Sequence, residues 1–421
     1  MNPSLALIPC AFDTGKLYSV LPSDGLGDFT VSRNGTATYL GADGLLKTAQ
    51  PNEPRLEFNT DGTFKGVLVE PAGTNLVLRS EEFENATWIK LNTTISQNTA
   101  ISPSGILNAD SFIGNDYGAF KLLTQSGIAT SGIQYSHSVY VKKNTNDFFQ
   151  IFGPSSVYTS ATVFANFDLN NGVLGSVGEG TTASITNVGN GWYRCTMTAT
   201  ATATVASQSI TGFGLITSAT SIRAEYNTLS TSVFIWGAQI EVGSVATSYI
   251  PTVASTVTRP ADAISKTEIA DLIGQTEGTV FVELNLQKSF SRTAYAIVIR
   301  NNISTLNALR IYISLSGSIN NNIAFQHVVN NVTTSVISNI TTNNIAKIGV
   351  AYKNGQVTTM AINGNLYSTS GAIGAFTDSI NQIVIGSFSV SAFLPLNDCV
   401  KSATIFKTRL SNAQLQALTT L

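Results

Sequence analysis

The stretch that decides the fold is "FIWGAQIEVGSVATSYIPT", Phe234–Thr252. Its first nine residues alternate: Phe234, Trp236, Ala238, Ile240 and Val242 fall on one side, Gly237, Gln239 and Glu241 on the other. Period-two alternation predicts a strand with one face buried and the other open. On this reading Trp236 points inward, closing a core, and Gln239 and Glu241 lie on the outer face. The Gly-Ser-Thr run that follows, ending in Tyr249, Ile250 and Pro251, reads as the exit from that domain.

The same period runs through the chain. Segments such as "YSHSVYVKK", "DFFQIFG", "TVFANFDL" and "GWYRCTMTATATATV" alternate or are β-branched, with Gly, Asn and Asp between them at short intervals. The Thr-Ala repeat from Thr198 to Thr204 suits a strand with a small-residue face and is given no function. Helical periodicity is confined to "RLSNAQLQALTTL", where Ser411 and Gln414 form a capping-box pattern ahead of Leu415 and Leu418. The expected class is all-β with one short C-terminal helix.

With 421 residues, two or three domains are expected. Residues 1–74 hold small hairpins turning at Ala42-Asp43-Gly44 and Thr60-Asp61-Gly62, where Asp-Gly supplies positive φ. This region is too small for a large core and is expected to rest on a neighbour or another subunit. Residues 75–260 carry the longer strands and fit a jelly roll. "TVTRPADAISKTEI" is expected to be a linker. Residues 261–421 form a second sandwich, in which Asn354-Gly355 and Asn363-Gly364 are expected to close two-residue hairpins.

Hydrophobic residues make up 43% of the chain and charged residues only 11%, with a formal net charge of −2. No basic field exists to hold nucleic acid or an anionic membrane. The polar surface must come from Asn, Ser, Thr and Gln, which suits carbohydrate or protein partners and inert structural surfaces alike. Cys10, Cys195 and Cys399 are far apart and odd in number, so no disulfide framework is expected. The opening "MNPSLALIPC" lacks the positive n-region and cleavage site of an export signal and reads as mature sequence. No uninterrupted apolar window is long enough to span a bilayer.

"FTVSRNGTATYLGADGLLKTAQPNEPRLEF", "GVLVEPAGTNLVLRSEEFENATWIK", "NGWYRC" and "FIWGAQIEVGSVATSYIPTVASTVTRPAD" together resemble, in the same order, phrases of a family of tailed-phage fibre and spike proteins. The resemblance covers residues 28 to 262 and implies a virion appendage with a carbohydrate-binding-module-like jelly roll. It also implies assembly as a homotrimer, docking to head or tail proteins through the N-terminal region, a place on the virion surface, and host-surface glycan as partner. The C-terminal region, with its "NGQ…NGN" hairpins and final "VKSATIFKTRLSNAQLQAL", looks like a concanavalin- or laminin-G-like sandwich.

The chemistry expected of an enzyme is sparse. A glycanase on such a sandwich needs paired carboxylates about 5–5.5 Å apart when retaining. Glu283 stands alone in "VFVELNL", and Glu81, Glu82 and Glu84 fall in what reads as a loop. His137 and His327 lie in separate domains with no cysteine beside them in sequence. "DTGKL" lacks the flanking residues of a phosphate loop, and no His/Cys cluster has zinc spacing. No catalytic residue, metal ligand or cofactor is therefore assigned; a structural Ca²⁺ fits "NTDG" or "GNDYG", though a bare Asx turn accounts for both. The alternatives to a binding subunit are a depolymerase of the same appendage class and a secreted lectin, and the latter requires an export signal.

Sugar binding needs aromatic faces beside planar amides and carboxylates. "GNDYGAF" presents Asp116 and Tyr117 in a turn, and "NTNDFFQIFGPSSVY" presents Asn146, Phe148, Gln150 and Tyr158. These six are the candidate glycan-binding residues. The competing reading has both faces of the second stretch buried. "RNNIS", "INNN" and "VVNNVTT" offer Asn-rich loops that also read as simple turns, since Asn tolerates left-handed backbone.

Overall fold

The protein is described here by a computed structural model, which covers residues 2–421 except 161, 287–292, 305, 316–320, 342–344 and 392–394. Antiparallel sheets make up nearly all of it, and Asn412–Thr419 is the single α-helix among the described residues. Ser411 caps that helix with both bonds of the capping box in place, as its sequence predicts.

Two sandwiches share the chain. In the jelly roll, one six-stranded sheet has the order Trp88–Leu91, Leu122–Ala129, Val205–Leu215, Phe148–Phe152, Phe164–Asp168 and Val173–Val177. The facing six-stranded sheet has the order Thr93–Ile101, Leu107–Gly114, Ser232–Val242, Gln134–Lys143, Trp192–Thr200 and Thr181–Asn187. Phe112, Val139, Val141, Phe149, Ile151, Phe167, Met197 and Phe213 fill the space between them.

The larger sandwich is built from both ends of the chain. Its eight-stranded sheet takes in Leu5–Leu7, Arg55–Phe58 and Phe64–Val69 beside Asp398–Phe406, Glu277–Asn285, Ile345–Lys353, Val357–Ile362 and Asn365–Ala372. Its nine-stranded sheet places Phe29–Ser32 against Ala263–Lys266. Leu5, Leu7, Leu17, Phe29, Val31, Val67 and Val69 thus share one core with Ile297, Ile348, Ile383 and Ile405. The small N-terminal region has its neighbour in this core, because its apolar residues are too few to cover one another.

The jelly roll is therefore inserted into the larger sandwich. The chain leaves through Gly73–Asn75 and returns through Val257–Arg259, and these two strands pair with each other: Asn75↔Val257, Gly73↔Arg259. The stretch expected to be a linker is instead two strands, since Ala263–Lys266 lies between Phe29–Ser32 and Gln382–Ile385. Asn363-Gly364 is a two-residue hairpin with both residues at positive φ, joining Ile362 to Asn365. The loop at Asn354-Gly355 is one residue longer than expected, spanning 354–356 between Lys353 and Val357, with only Gly355 left-handed.

The alternation in Phe234–Val242 does not run straight through. Tyr140 pairs with Trp236, but Ser138 pairs with Gln239, so one extra residue sits on the longer strand. Gly237 takes φ +63° at this bulge. Val233 and Ile235 face the jelly-roll core before it, and Ala238 and Ile240 after it. Trp236 therefore points away from that core, contrary to the expectation. It is buried nonetheless, in a second cluster with Tyr140, Trp192 and Tyr249, and its ring lies 4.7 Å from that of Tyr249. Gln239 and Glu241 do lie on the outer face, but they are covered. Glu241 accepts bonds from the Thr247 amide and hydroxyl at 2.7 and 2.6 Å. Gln239 accepts one from the Ile250 amide at 2.7 Å.

At the junction of the two sandwiches lies a buried ionic cluster. Arg55 bridges Glu70, at 2.7 Å, and Asp262. Arg33 holds Asp262 at 3.0 Å, and Arg259 approaches Glu70 at 3.4 Å. Backbone completes the network: the Ser248 amide donates to Glu70 at 2.9 Å, and Arg33 donates to the carbonyls of Gly35, Gln50 and Glu53. Every charge in it comes from a phrase that carries the family resemblance.

Candidate functional site

The outer face of the second jelly-roll sheet carries an ordered array of side chains. Reading across Thr181–Asn187, Trp192–Thr200, Gln134–Lys143 and Ser232–Val242, the first row is Thr186, Arg194, Tyr140, Trp236. The second is Ser184, Thr196, Ser138, Gln239, and the third Thr182, Thr198, Ser136, Glu241. Alternation produces it: Cys195, Met197 and Ala199 go into the core, so Arg194, Thr196 and Thr198 must go outward. Residues 246–250 roof the Trp236–Glu241 side, where Trp236, Gln239 and Glu241 are buried. The other columns form the floor of a cleft.

The cleft encloses about 790 Å³ and lies between the two sandwiches. One wall is the hairpin region, with Tyr39, Glu57, Asn59 and Lys65; the other is the returning segment Ser244–Tyr249. Asp398 and Cys399 of the larger sandwich close its end. A space of this size at a domain interface is where ligand sites are concentrated.

Within the floor, Ser184 and Thr196 share a hydrogen bond of 2.5 Å, and Thr198 donates to the Ser244 carbonyl at 3.2 Å. The Arg194 guanidinium sits 5.5 Å from the Tyr140 ring centroid and donates to the Ser138 hydroxyl at 2.9 Å. Among the described residues, the buried Ser136 hydroxyl and the Arg194 Nε have no hydrogen-bond partner. Glu57 accepts from the Leu40 amide at 2.9 Å. Burial raises its carboxyl above the ordinary range, against the pull of Lys65 and that amide. Glu70 is committed to Arg55 and the Ser248 amide.

None of the six residues singled out from sequence lines this cleft. Asn146, Gln150 and Tyr158 are buried and serve the fold. Asn146 donates to the Phe148 and Ile216 carbonyls at 2.9 and 3.3 Å. Gln150 donates to Asn166 and to the Ile222 carbonyl, and accepts from the Ala224 amide. Tyr158 meets His137 Nε2 at 2.9 Å in the core. Phe148 is half-buried. The competing reading of that strand is the one realised: Phe149 and Ile151 face the core, while Gln150 and Phe152 lie under the segment carrying Ile222 and Arg223.

Asp116 and Tyr117 are exposed in the turn after Leu107–Gly114. Tyr117 donates to Asn92 at 2.7 Å, and Lys121 lies 4.7 Å from its ring centroid. Two other exposed aromatics, Phe120 and Tyr226, stand edge to face at 5.6 Å, where Ala119–Phe120 pairs with Tyr226–Asn227. Sequence reasoning missed this pair, because the two short strands are over a hundred residues apart.

The remaining candidates are absorbed by structure. Glu82 pairs with Arg79 and Glu283 with Lys401; Glu81 accepts from Tyr249 and Asn108. Asp61 caps its own turn through the Thr63 amide and hydroxyl, the Asx-turn reading of "NTDG". Among the described residues no group of three His, Cys, Asp or Glu is placed to hold a metal ion. Asn330 and Asn331 are left-handed turn residues, and Asn301 caps its loop through the Ile303 and Ser304 amides. Ile319 and Asn320 of "INNN" lie outside the described residues.

Comparison with known protein families finds no matching family model, and no curated protein matches the sequence. Among solved structures, the sialidase CBM40 of Ruminococcus gnavus matches 36% of this chain and 86% of its own, at 12% identity and TM-score 0.31. Domain 4 of the arabinanase AbnA from Geobacillus stearothermophilus, solved with arabinotriose, matches 42% of this chain and 82% of its own, at 12% identity and TM-score 0.29. Mouse laminin α1 domains LG4-5 match 81% of this chain and 89% of their own, at 7% identity and TM-score 0.23. TM-scores this low transfer neither architecture nor activity, so the all-β sandwich architecture of this chain rests on its own strand pairings.

Proposed function

We propose that this chain is a non-enzymatic, glycan-binding subunit of a phage head or tail appendage, and that it holds sugar in the cleft between its two sandwiches. The observation that carries the binding part is the floor of that cleft. Ser and Thr hydroxyls from three adjacent strands converge there, flanked by Arg194 and the Tyr140 ring, with Ser136 left unpartnered. Hydroxyls, an amide at Asn59 and aromatic edges are the groups that recognise sugar hydroxyls and CH faces. The appendage part, and assembly as a trimer, rest on the sequence resemblance.

Glycan-array binding followed by product analysis tests the reading. Wild type is expected to retain a glycan unchanged, and Thr196→Trp, which fills the floor from an already surface-facing position, is expected to abolish retention. Binding that survives Thr196→Trp and is lost in Tyr226→Ala moves the site to the exposed aromatic pair. A hydrolytic reading would run through Glu57, whose raised carboxyl suits a general acid. Released oligosaccharide that disappears in Glu57→Gln overturns the non-enzymatic assignment. Electron microscopy of virions tests the appendage, which fails if no copy is found on the particle.

A further inference from the structure

We infer, building on the cleft reading, that the preferred ligand is an anionic glycan whose carboxylate is received by Arg194. Arginine side chains elsewhere in the junction are committed: Arg33, Arg55 and Arg259 all face carboxylates. Arg194 differs. Among the described residues no Asp or Glu lies within ion-pair distance of it, and its neighbours across the strands are Thr186 and Tyr140. One Nη bonds a neutral hydroxyl, Ser138; its buried Nε has no partner among the described residues, as is also true of Arg55 and Arg259, so the missing carboxylate is what sets Arg194 apart. A guanidinium that lines a concave, hydroxyl-bearing space without a carboxylate partner can receive an anion there through its Nη groups.

Lys65 is a second cation lining the cleft, on the hairpin wall beside Glu57. Glu70 is neutralised by Arg55, and Asp398 sits at the far wall with the larger sandwich. Glu57 stands on the hairpin wall beside Lys65, and burial raises its carboxyl above the ordinary range. Ser184, Thr196 and Thr186 surround Arg194 with groups that donate to or accept from ring hydroxyls on either side of a sugar carboxylate. The Tyr140 ring, its centroid 5.5 Å from the guanidinium carbon, flanks the same group.

The test uses the full chain and matched probes: uronate- and sialate-bearing oligosaccharides, the same compounds with the carboxyl reduced to the alcohol, and sulfated neutral oligosaccharides. The carboxylated forms are expected to bind best. Arg194→Gln is expected to weaken them by about 10- to 100-fold, the loss of a charge-assisted bond, and to weaken the reduced forms by a smaller factor. Arg194→Lys should restore part of the difference. Tryptophan emission checks the fold, since Trp192 lies two residues away on the same strand. A measurement on wild type alone guards against a variant that fails to fold. Raising salt from about 50 to about 500 mM should weaken carboxylated probes and leave reduced ones unchanged.

Equal affinity for carboxylated and reduced forms overturns the anionic preference while leaving the cleft reading intact. Preference for the sulfated probes overturns the assignment of a carboxylate ligand. Failure of every probe to bind, with Thr196→Trp indistinguishable from wild type, overturns both.

Discussion

His327 offers the sharpest check on the physics of the larger sandwich. It lies on Asn321–Val329, stacked 4.9 Å from Phe376, with Tyr352 at 5.9 Å and Phe325 at 6.4 Å. Only 1% of it is exposed, and among the described residues neither ring nitrogen has a hydrogen-bond partner. Burial alone lowers its pKa from 6.5 to about 4. The folded form thus carries a neutral ring that the unfolded chain protonates more readily. Stability is full above pH 6.5 and is lost as pH falls toward about 4. The full shift corresponds to about 3 kcal/mol, of which about 2 kcal/mol is lost between about pH 7 and about pH 5.

Phenylalanine fits that aromatic box and removes both unpartnered nitrogens. His327→Phe is therefore expected to unfold with a urea midpoint that hardly moves from about pH 7 to about pH 5, while wild type falls by about 2 kcal/mol over the same interval. The assay separates the sandwiches, because all three tryptophans, Trp88, Trp192 and Trp236, lie in the jelly roll. Tryptophan emission follows that module; the far-UV dichroism change outside its transition follows the larger sandwich. In the jelly roll two opposing terms meet. Burial lowers His137 to about 3, which destabilises on acidification, and raises Asp110 to about 6, which stabilises on acidification. Parallel pH profiles for wild type and His327→Phe would refute the reasoning.

Two further predictions concern the junction. Arg55→Ala leaves Glu70 and Asp262 buried without their main partner and is expected to cost about 3–5 kcal/mol, measured by urea unfolding. Gly237→Ala forces a side chain into the left-handed region and places a Cβ 3.0 Å from Tyr140 and 3.3 Å from Tyr249. The expected loss is about 1–2 kcal/mol, with a shift in tryptophan emission as Trp236 is displaced.

Strand content, the Asn363-Gly364 turn and the capped terminal helix were legible because each is set by neighbours in sequence. Trp236 shows where that stops. Its side of the strand depends on one inserted residue at Gly237, and strict alternation carried across a bulge assigns the first half of the strand to the wrong face. Gln150 and Asn146 are sugar-ligand candidates by residue type and by the alternation of their strand. Their partners, the Ile222 and Ile216 carbonyls, are some seventy residues away. The cleft floor was half visible in "RCTMTATAT", whose hydroxyls alternate with core residues, but nothing local says that Tyr39 and Glu57 will face it. The ionic junction joins Arg33, Arg55 and Glu70 to Arg259 and Asp262, nearly two hundred residues on, and nothing local announces it.

The paired strands Gly73–Asn75 and Val257–Arg259 have a mechanical consequence. Leu5–Leu7 pairs directly with Asp398–Phe406, so the two ends of the chain are stitched together within the larger sandwich. Tension applied between the ends loads that seam and bypasses the jelly roll, which hangs from the rest as a side branch with its entry and exit side by side. The same geometry makes the branch replaceable by a module whose ends lie one strand spacing apart, about 4.8 Å, if the segment through Ser248 that completes the ionic junction is kept.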